Sequence, residues 1–283
     1  MNKRAALLML LPAIVLYLLA FAGPLVMVGR LSLFQTNYIT SVFVGGANFV
    51  KAVTDHYFLK SFVNAFIFVG MMTPPIIIGS YLIASFLMGF DKKTQAVGRF
   101  VIYIPGLTSG LIMGLLWGWL LLREGLVNGF IVALGGQAVS WLSEPWTARM
   151  SMALMSVSSG LGGYVIMFAA YMHSIPLELH DAAMIDGASE RQYKRFIVRP
   201  ILMPAIMLCL LLAIVGILQI WESVYVLMGE GGPEGSASTP VYEIFLTAFR
   251  FGKAGLAAAK GLILLVVIAA ILFVKQRVEK LLT

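Results

Sequence analysis

Long apolar runs separated by short polar clusters dominate this chain. Stretches free of Asp, Glu, Lys and Arg extend from Ala5 to Gly29, Ser61 to Phe90, Phe100 to Leu122, Met150 to Tyr171 and Pro200 to Trp221, and a sixth, Ala254 to Val274, is interrupted only by Lys260. Each reaches the roughly 20 residues that a helix needs to cross the hydrocarbon core. The runs are continuously apolar, whereas membrane-barrel strands alternate over about 10 residues, so the pattern predicts an all-α integral membrane protein with six transmembrane helices. The connections are unequal: Arg30 to Lys60, Arg123 to Arg149 and Leu227 to Lys253 on one side, a short Asp91 to Arg99 turn and a longer segment at about 174–200 on the other. With no Gly/Ser linker and no low-complexity tract, residues 1–283 form a single six-span domain.

Small residues punctuate the spans. Gly106, Gly110, Gly114 and Gly118 recur every four residues in the third, which predicts a face that packs closely on another helix, within this subunit in the simpler reading or across a subunit interface. Gly160, Gly162 and Gly163 lie near the middle of the fourth span; they point either to packing or to a loosened helix beside a solute path, with Gly160 and Gly163 as path candidates. Pro74 and Pro75 predict a kink in the second span.

Composition supports the membrane class: 60% of residues are hydrophobic and 12% charged, against about 25% charged in ordinary soluble domains. Lys3, Arg4, Lys92, Lys93, Arg99, Arg191, Lys194, Arg195, Arg199, Lys275, Arg277 and Lys280 make 12 of the 20 Lys and Arg residues and share one side when both termini are cytoplasmic. That bias also accounts for the net charge of +7, so nucleic acid need not be invoked. The lone Cys209 lies in an apolar span and offers neither a disulfide framework nor a zinc cluster. Ala20-Phe21-Ala22 imitates a signal-peptide cleavage site, but the apolar run continues to Val28, beyond the about 7–15 residues of a signal h-region, which favours a retained first span.

The segment from Ile175 to Pro204 is the most informative: an acidic, alanine-rich helix followed by four cations, between two spans. Asp181-Ala182-Ala183, Gly187, Ile197 and Arg199-Pro200 keep every spacing of the Glu-Ala-Ala signature of bacterial ATP-binding-cassette importer permeases, which this chain resembles. The departures are Asp for Glu at 181 and Arg for Leu at 199. The third span and its exit, Pro105 through Trp117 to Gly125-Leu126-Val127-Asn128, look like the sugar-type permeases. So does the stretch carrying Gly231-Gly232-Pro233, Ser238-Thr239, Tyr242, Ala248-Phe249, Gly255 and Ala257-Ala258-Ala259.

The resemblance implies a MetI-like permease fold in the bacterial inner membrane and an ATP-driven importer of a carbohydrate or related polar solute. It also implies partners: a homologous second permease forming a heterodimer, a two-copy cytoplasmic ATPase that binds the ATP and Mg, and an extracytoplasmic solute-binding protein. Glu178, Asp181, Ala182, Ala183, Asp186, Gly187 and Ala188 would couple this chain to the ATPase. An amphipathic helix lying on the inner leaflet is the plainer reading of the same residues. No Gly-x-x-x-x-Gly-Lys-Ser/Thr loop occurs, so the chain reads as a non-enzymatic subunit with no cofactor of its own.

Ionisable groups within spans are costly, by about 2.5–3.5 kcal/mol at a helix centre. Glu222 and Lys260, each near an outer end, either pair with one another, line a vestibule, or snorkel to water separately. Trp221 and Tyr225 are candidates for stacking on sugar rings, although interfacial aromatics look the same in sequence. The histidines His56, His173 and His180 lack further ligands nearby, so no metal site is expected. A secondary transporter is the alternative class, but it would need a coupling-ion site, and the midplanes here carry no charge. Paired acids or a nucleophile-base arrangement at membrane depth, as an integral membrane enzyme requires, are missing.

Overall fold

The computed structural model describes residues 3–36 and 39–282, with side chains described over 9–36 and 39–279. In chain order the elements are α1 (Lys3–Tyr17), α2 (Gly23–Ser32), β1 (Phe34–Thr36), β2 (Ser41–Phe43), α3 (Ala47–Thr54), α4 (His56–Leu87), α5 (Lys92–Tyr103), α6 (Gly110–Leu120) and α7 (Leu126–Ala133). There follow α8 (Pro145–His173), α9 (Leu177–Ile185), α10 (Glu190–Tyr193), α11 (Arg199–Leu218), α12 (Glu222–Met228), α13 (Pro240–Phe245) and α14 (Ala254–Leu282). Among the described residues, five helical stretches are long and apolar enough to cross a membrane: Met9–Ser32, His56–Leu87, Pro145–His173, Glu190–Leu218 and Ala254–Glu279.

The third expected span is broken. Lys92–Leu107 and Gly110–Leu120 meet at 94°. A 3-10 turn over Ile104–Leu107 carries Pro105, Thr108 is extended, and Ser109 starts α6 afresh by accepting the Ile112 N–H at 3.4 Å. Pro105 forfeits a donor here, as prolines do. Pro74 and Pro75, by contrast, lie inside α4, which runs through both without interruption. The fifth span also ends sooner than its apolar run: α11 stops at Leu218, and Glu222 is the first residue of the separate α12 rather than part of the span.

Contacts divide the chain into two compact units, residues 1–59 with 243–269 and residues 60–242 with 270–283. In the first, α1 and α2 are joined through a π turn over Leu18–Ala22, and β1 and β2 form an antiparallel hairpin pairing Phe34 with Phe43. Buried Asn48 of α3 donates to the carbonyls of Ser32 and Phe34, both at 2.9 Å, and so satisfies backbone that the hairpin leaves open. The start of α14 lies tight against that hairpin: a Cβ on Gly255 would come 1.8 Å from the Phe34 carbonyl, so only glycine fits.

The second unit is built around α8, whose Met152, Met155, Val165 and Phe168 are buried to within 1%. The glycine stripe of α6 packs within the subunit, on α12: a Cβ on Gly110 would lie 3.0 Å from a Glu222 carboxylate oxygen, and one on Gly114 3.1 Å from Val226. Gly162 serves a second close approach, since a Cβ there would fall 2.5 Å from the Ile102 carbonyl. A polar knot fixes the loop after α12. Arg149 donates to the Asn64 side chain and the Ser236 carbonyl, both at 3.1 Å, while Asn64 donates to the carbonyls of Gly235 (2.8 Å) and Ser238 (3.1 Å). That loop turns through Gly231 and Gly232 at φ of 86° and 76°, a region that glycine enters without Cβ strain.

Candidate functional site

The segment between α8 and α11 is a helix, a sharp turn and a second helix. Pro176 precedes α9 in an extended conformation, and Glu178 stands in the first turn, where the N-terminal dipole favours an acid. Gly187, at φ +77°, ends the helix. The Ala188 N–H reaches the Ala183 carbonyl at 2.9 Å and the Gly187 N–H reaches that of Met184 at 3.1 Å, a Schellman cap that places a left-handed residue after the helix. Ser189 then opens α10 with a capping box closed by Gln192. A π turn over Lys194–Val198 carries the chain into α11.

Of the residues read from sequence as coupling positions, Glu178, Asp181, Ala182, Asp186 and Gly187 are exposed, Ala188 is half-buried and Ala183 is buried. Ala183 therefore anchors α9 from beneath. The outward face also carries Leu177 (79% exposed) and Ile185 (86%), two apolar side chains beside acids. A recess of about 270 Å³ adjoins the turn, lined by Asp186, Gly187, Ala188, Gln192, Tyr193, Phe196 and Ile197.

His180 ties the two short helices together. Its Nε2 is 2.7 Å from a Glu190 carboxylate oxygen, its Nδ1 is 3.5 Å from Asp181, and its ring meets Tyr193 edge-on at 4.9 Å. The Glu190 hydrogen bond is the largest influence on the imidazole; with Asp181 it outweighs the opposing burial and holds the pKa above its usual 6.5. A raised folded-state value means that the stabilisation is complete below 6.5 and is lost as pH climbs through that raised value. Hydrogen exchange of the α9 amides, corrected for intrinsic rates, is expected to quicken across that window in the wild type and to show no such step in His180→Phe. At the base of this segment, His173 Nε2 lies 3.1 Å from the Gln95 side chain. Among the described residues no cluster of His, Cys, Asp and Glu is arranged to hold a metal.

A second feature lies among the helices of the larger unit: a cleft of about 270 Å³ lined by Thr108, Ser156, Ser159, Tyr164 and Ser223, by Gly106, Gly110, Gly160 and Gly216, and by Ile76, Met113, Met155, Ala213, Ile217 and Ile220. The break at 104–110 creates part of it, because a straight third span would not present Gly106, Thr108 and Gly110 together. Of the path candidates, Gly160 lines the cleft and Glu222 borders it through Gly110. Gly163 does not line it and has open space at its Cβ position. Trp221 caps α12, half-buried, and Tyr225 is half exposed on the same helix.

Lys260 is a correction. Its side chain is 2% exposed and its ammonium lies 2.8 Å from Asp55, donates to Thr247 Oγ1 at 2.8 Å and stands 5.1 Å from the centre of the Phe58 ring. The partner is Asp55, not Glu222, and the cation is held in packing rather than presented to a path. Asp55 lies one residue before α4, in the Arg30 to Lys60 connection rather than in an apolar run. The Asn64–Arg149 knot was likewise missed; its signal was a lone amide, 1% exposed, within an otherwise apolar span.

Membrane helices with an exposed, glycine-ended helix between two of them and a hydroxyl-lined cleft inside accord with a transport permease. The chain belongs to the family of binding-protein-dependent transport system inner membrane components, which matches residues 49–283. It is thus a multi-pass inner-membrane permease subunit of an ABC importer, with no enzymatic role of its own. It is similar to the lactose transport system permease protein LacF of Rhizobium radiobacter, 26% identical over 264 residues that cover 92% of this chain and 89% of the relative. The arabinooligosaccharides transport system permease protein AraP of Bacillus subtilis (strain 168) is 26% identical over 281 residues, 98% of this chain and 89% of that one. Among solved structures, a chain of a bacterial ABC transporter involved in the import of the acidic polysaccharide alginate superposes with a TM-score of 0.83 at 23% identity, covering 99% of this chain and 97% of that chain. This likeness establishes the MetI-like permease fold, broken third span included in the aligned length.

Proposed function

We propose that this subunit pairs with a homologous permease to form the translocation path for a carbohydrate delivered by an extracytoplasmic binding protein, and that a pair of cytoplasmic ATPase subunits docks on α9. The single observation that supports docking is the outward face of α9, where Leu177, Asp181, Ala182 and Ile185 stand exposed above a glycine turn. Exposed apolar side chains mixed with acids, on a short helix whose buried side is anchored by Ala183, suit a groove on another protein better than water. ATP binding would shift the permease between arrangements only insofar as the docked ATPase favours one of them.

The solute class is supported by the cleft. Its lining offers hydroxyls, an aromatic ring and close-approach glycines, and none of its lining residues is charged, which suits a neutral, hydroxyl-rich ligand. The relatives are named for lactose, arabinooligosaccharides, diacetylchitobiose and trehalose/maltose. Gly160→Phe should fill the cleft and reduce solute uptake by the assembled transporter at least about tenfold, while Gly163→Phe, off the cleft, leaves uptake near normal. Uptake driven by this chain alone on an ion gradient, without a co-purifying ATPase and second permease, would refute the proposal.

A further inference from the structure

We propose that a basic cleft where α10 runs into α11 binds the phosphate headgroup of an anionic membrane lipid. The cleft holds about 410 Å³ and is lined by Tyr81, Glu190, Arg191, Lys194, Arg195 and Arg199. Three arginines spaced four residues apart, with Lys194 among them, fall on one side of a continuous helical run. Four cations thus face one carboxylate. Glu190 is already engaged by His180 at 2.7 Å and is 3.9 Å from Lys194, so it does little to neutralise the arginines. Among the described residues Arg191, Arg195 and Arg199 make no ion pair, which leaves planar donors matched to a phosphate.

The walls favour a lipid over a free anion. Tyr81 belongs to the membrane helix α4, six residues before its end at Leu87, or about 9 Å at 1.5 Å per residue. One turn further from that end, on the same side of α4, Ile78 is 58% exposed, and beyond Arg199 Ile201 is 43% exposed. Cations at the rim above exposed apolar surface match a headgroup with its acyl chains, and the charge bias of the chain puts this end in the cytoplasmic leaflet. A soluble phosphate would use only the rim. The π turn at Lys194–Val198 lies in the middle of the cleft wall. Because Glu190 also holds His180 of α9, a bound lipid would steady the docking segment; that consequence alone rests on the docking proposal.

The test is native mass spectrometry of the purified transporter complex after exchange into mixtures of phosphatidylcholine and phosphatidylglycerol. The wild type is expected to retain phosphatidylglycerol selectively, the triple variant Arg191→Gln, Arg195→Gln, Arg199→Gln to lose about tenfold or more of that retention, and the corresponding triple lysine variant to keep most of it. Equal retention of both lipids by the wild type overturns the proposal without recourse to any variant. So does displacement of the lipid by millimolar inorganic phosphate, which would mark a free-anion site. Unchanged lipid retention in the glutamine variant, with loss of the co-purifying ATPase, would assign the arginines to a protein contact and overturn it too.

Discussion

Gly187→Trp should reach the membrane at normal abundance and yet lower the binding-protein-stimulated ATPase activity of the assembled transporter at least about tenfold. Two effects are combined in that substitution, and they are separable. Gly187 sits at φ +77°, where an L side chain costs about 1–2 kcal/mol. Its Cβ direction is otherwise open, with nothing within 4 Å, so the indole would project into the space where the proposed ATPase contact would form. Asparagine tolerates the left-handed region and carries little bulk, so Gly187→Asn should keep most of the stimulated activity. Normal stimulation in the tryptophan variant would remove α9 from the coupling path. Equal loss in both variants would mean that the turn itself, rather than the free surface beside it, is what matters.

The parts of this molecule that sequence reveals are those set by local chemistry. An apolar run of sufficient length forms a helix because unsatisfied backbone is intolerable in lipid, and five of the expected spans follow from that rule alone. Gly187 was identified only through the spacing of the permease signature, and the fold shows it to be the left-handed residue that ends α9. Hydropathy has no direction, however. Residues 104–110, Ile-Pro-Gly-Leu-Thr-Ser-Gly, carry no charge, so a search for uncharged runs passes straight through them, although Pro105-Gly106 is a turn signal and Ser109 caps α6 where the chain bends by 94°. The cleft that depends on this bend was correspondingly invisible apart from Gly160.

Long-range polar pairs were the other failure. Lys260 was read as pairing with Glu222, lining a vestibule with it or snorkelling to water separately, whereas its partner Asp55 sits in a connection that an apolar-window reading treats as solvated loop. Asn64 and Arg149 are 85 residues apart, and each has an ordinary explanation when taken alone. Only the folded chain shows that one amide and one guanidinium together close the loop carrying Gly231, Gly232 and Pro233.

Removing Asp55 should damage the protein more than removing Lys260, although the two are partners. In Asp55→Ala the ammonium of Lys260, 2% exposed, loses its counter-charge while remaining enclosed by Thr247 and the Phe58 ring. An orphaned buried charge costs about 3–5 kcal/mol. In Lys260→Met the surviving carboxylate is 26% exposed and still accepts the N–H groups of Tyr57 at 3.0 Å and Phe58 at 3.3 Å. It can turn to water, and methionine fills the vacated volume, so the loss should be about 1–2 kcal/mol. The double variant is expected to be more stable than Asp55→Ala, because deleting the stranded cation relieves the larger penalty. Burial is the largest single influence on the Asp55 carboxyl and pushes its pKa up, but the Lys260 hydrogen bond and charge, with the two backbone N–H groups, together bring it below the usual 3.8. A depressed value means that the pair's contribution is present above 3.8 and fades only as pH falls through the lower folded value, so the ranking should hold at neutral pH. Thermal unfolding midpoints of the purified complex would decide the order, and a midpoint for Lys260→Met at or below that of Asp55→Ala would show that Lys260 carries a load beyond neutralising this acid.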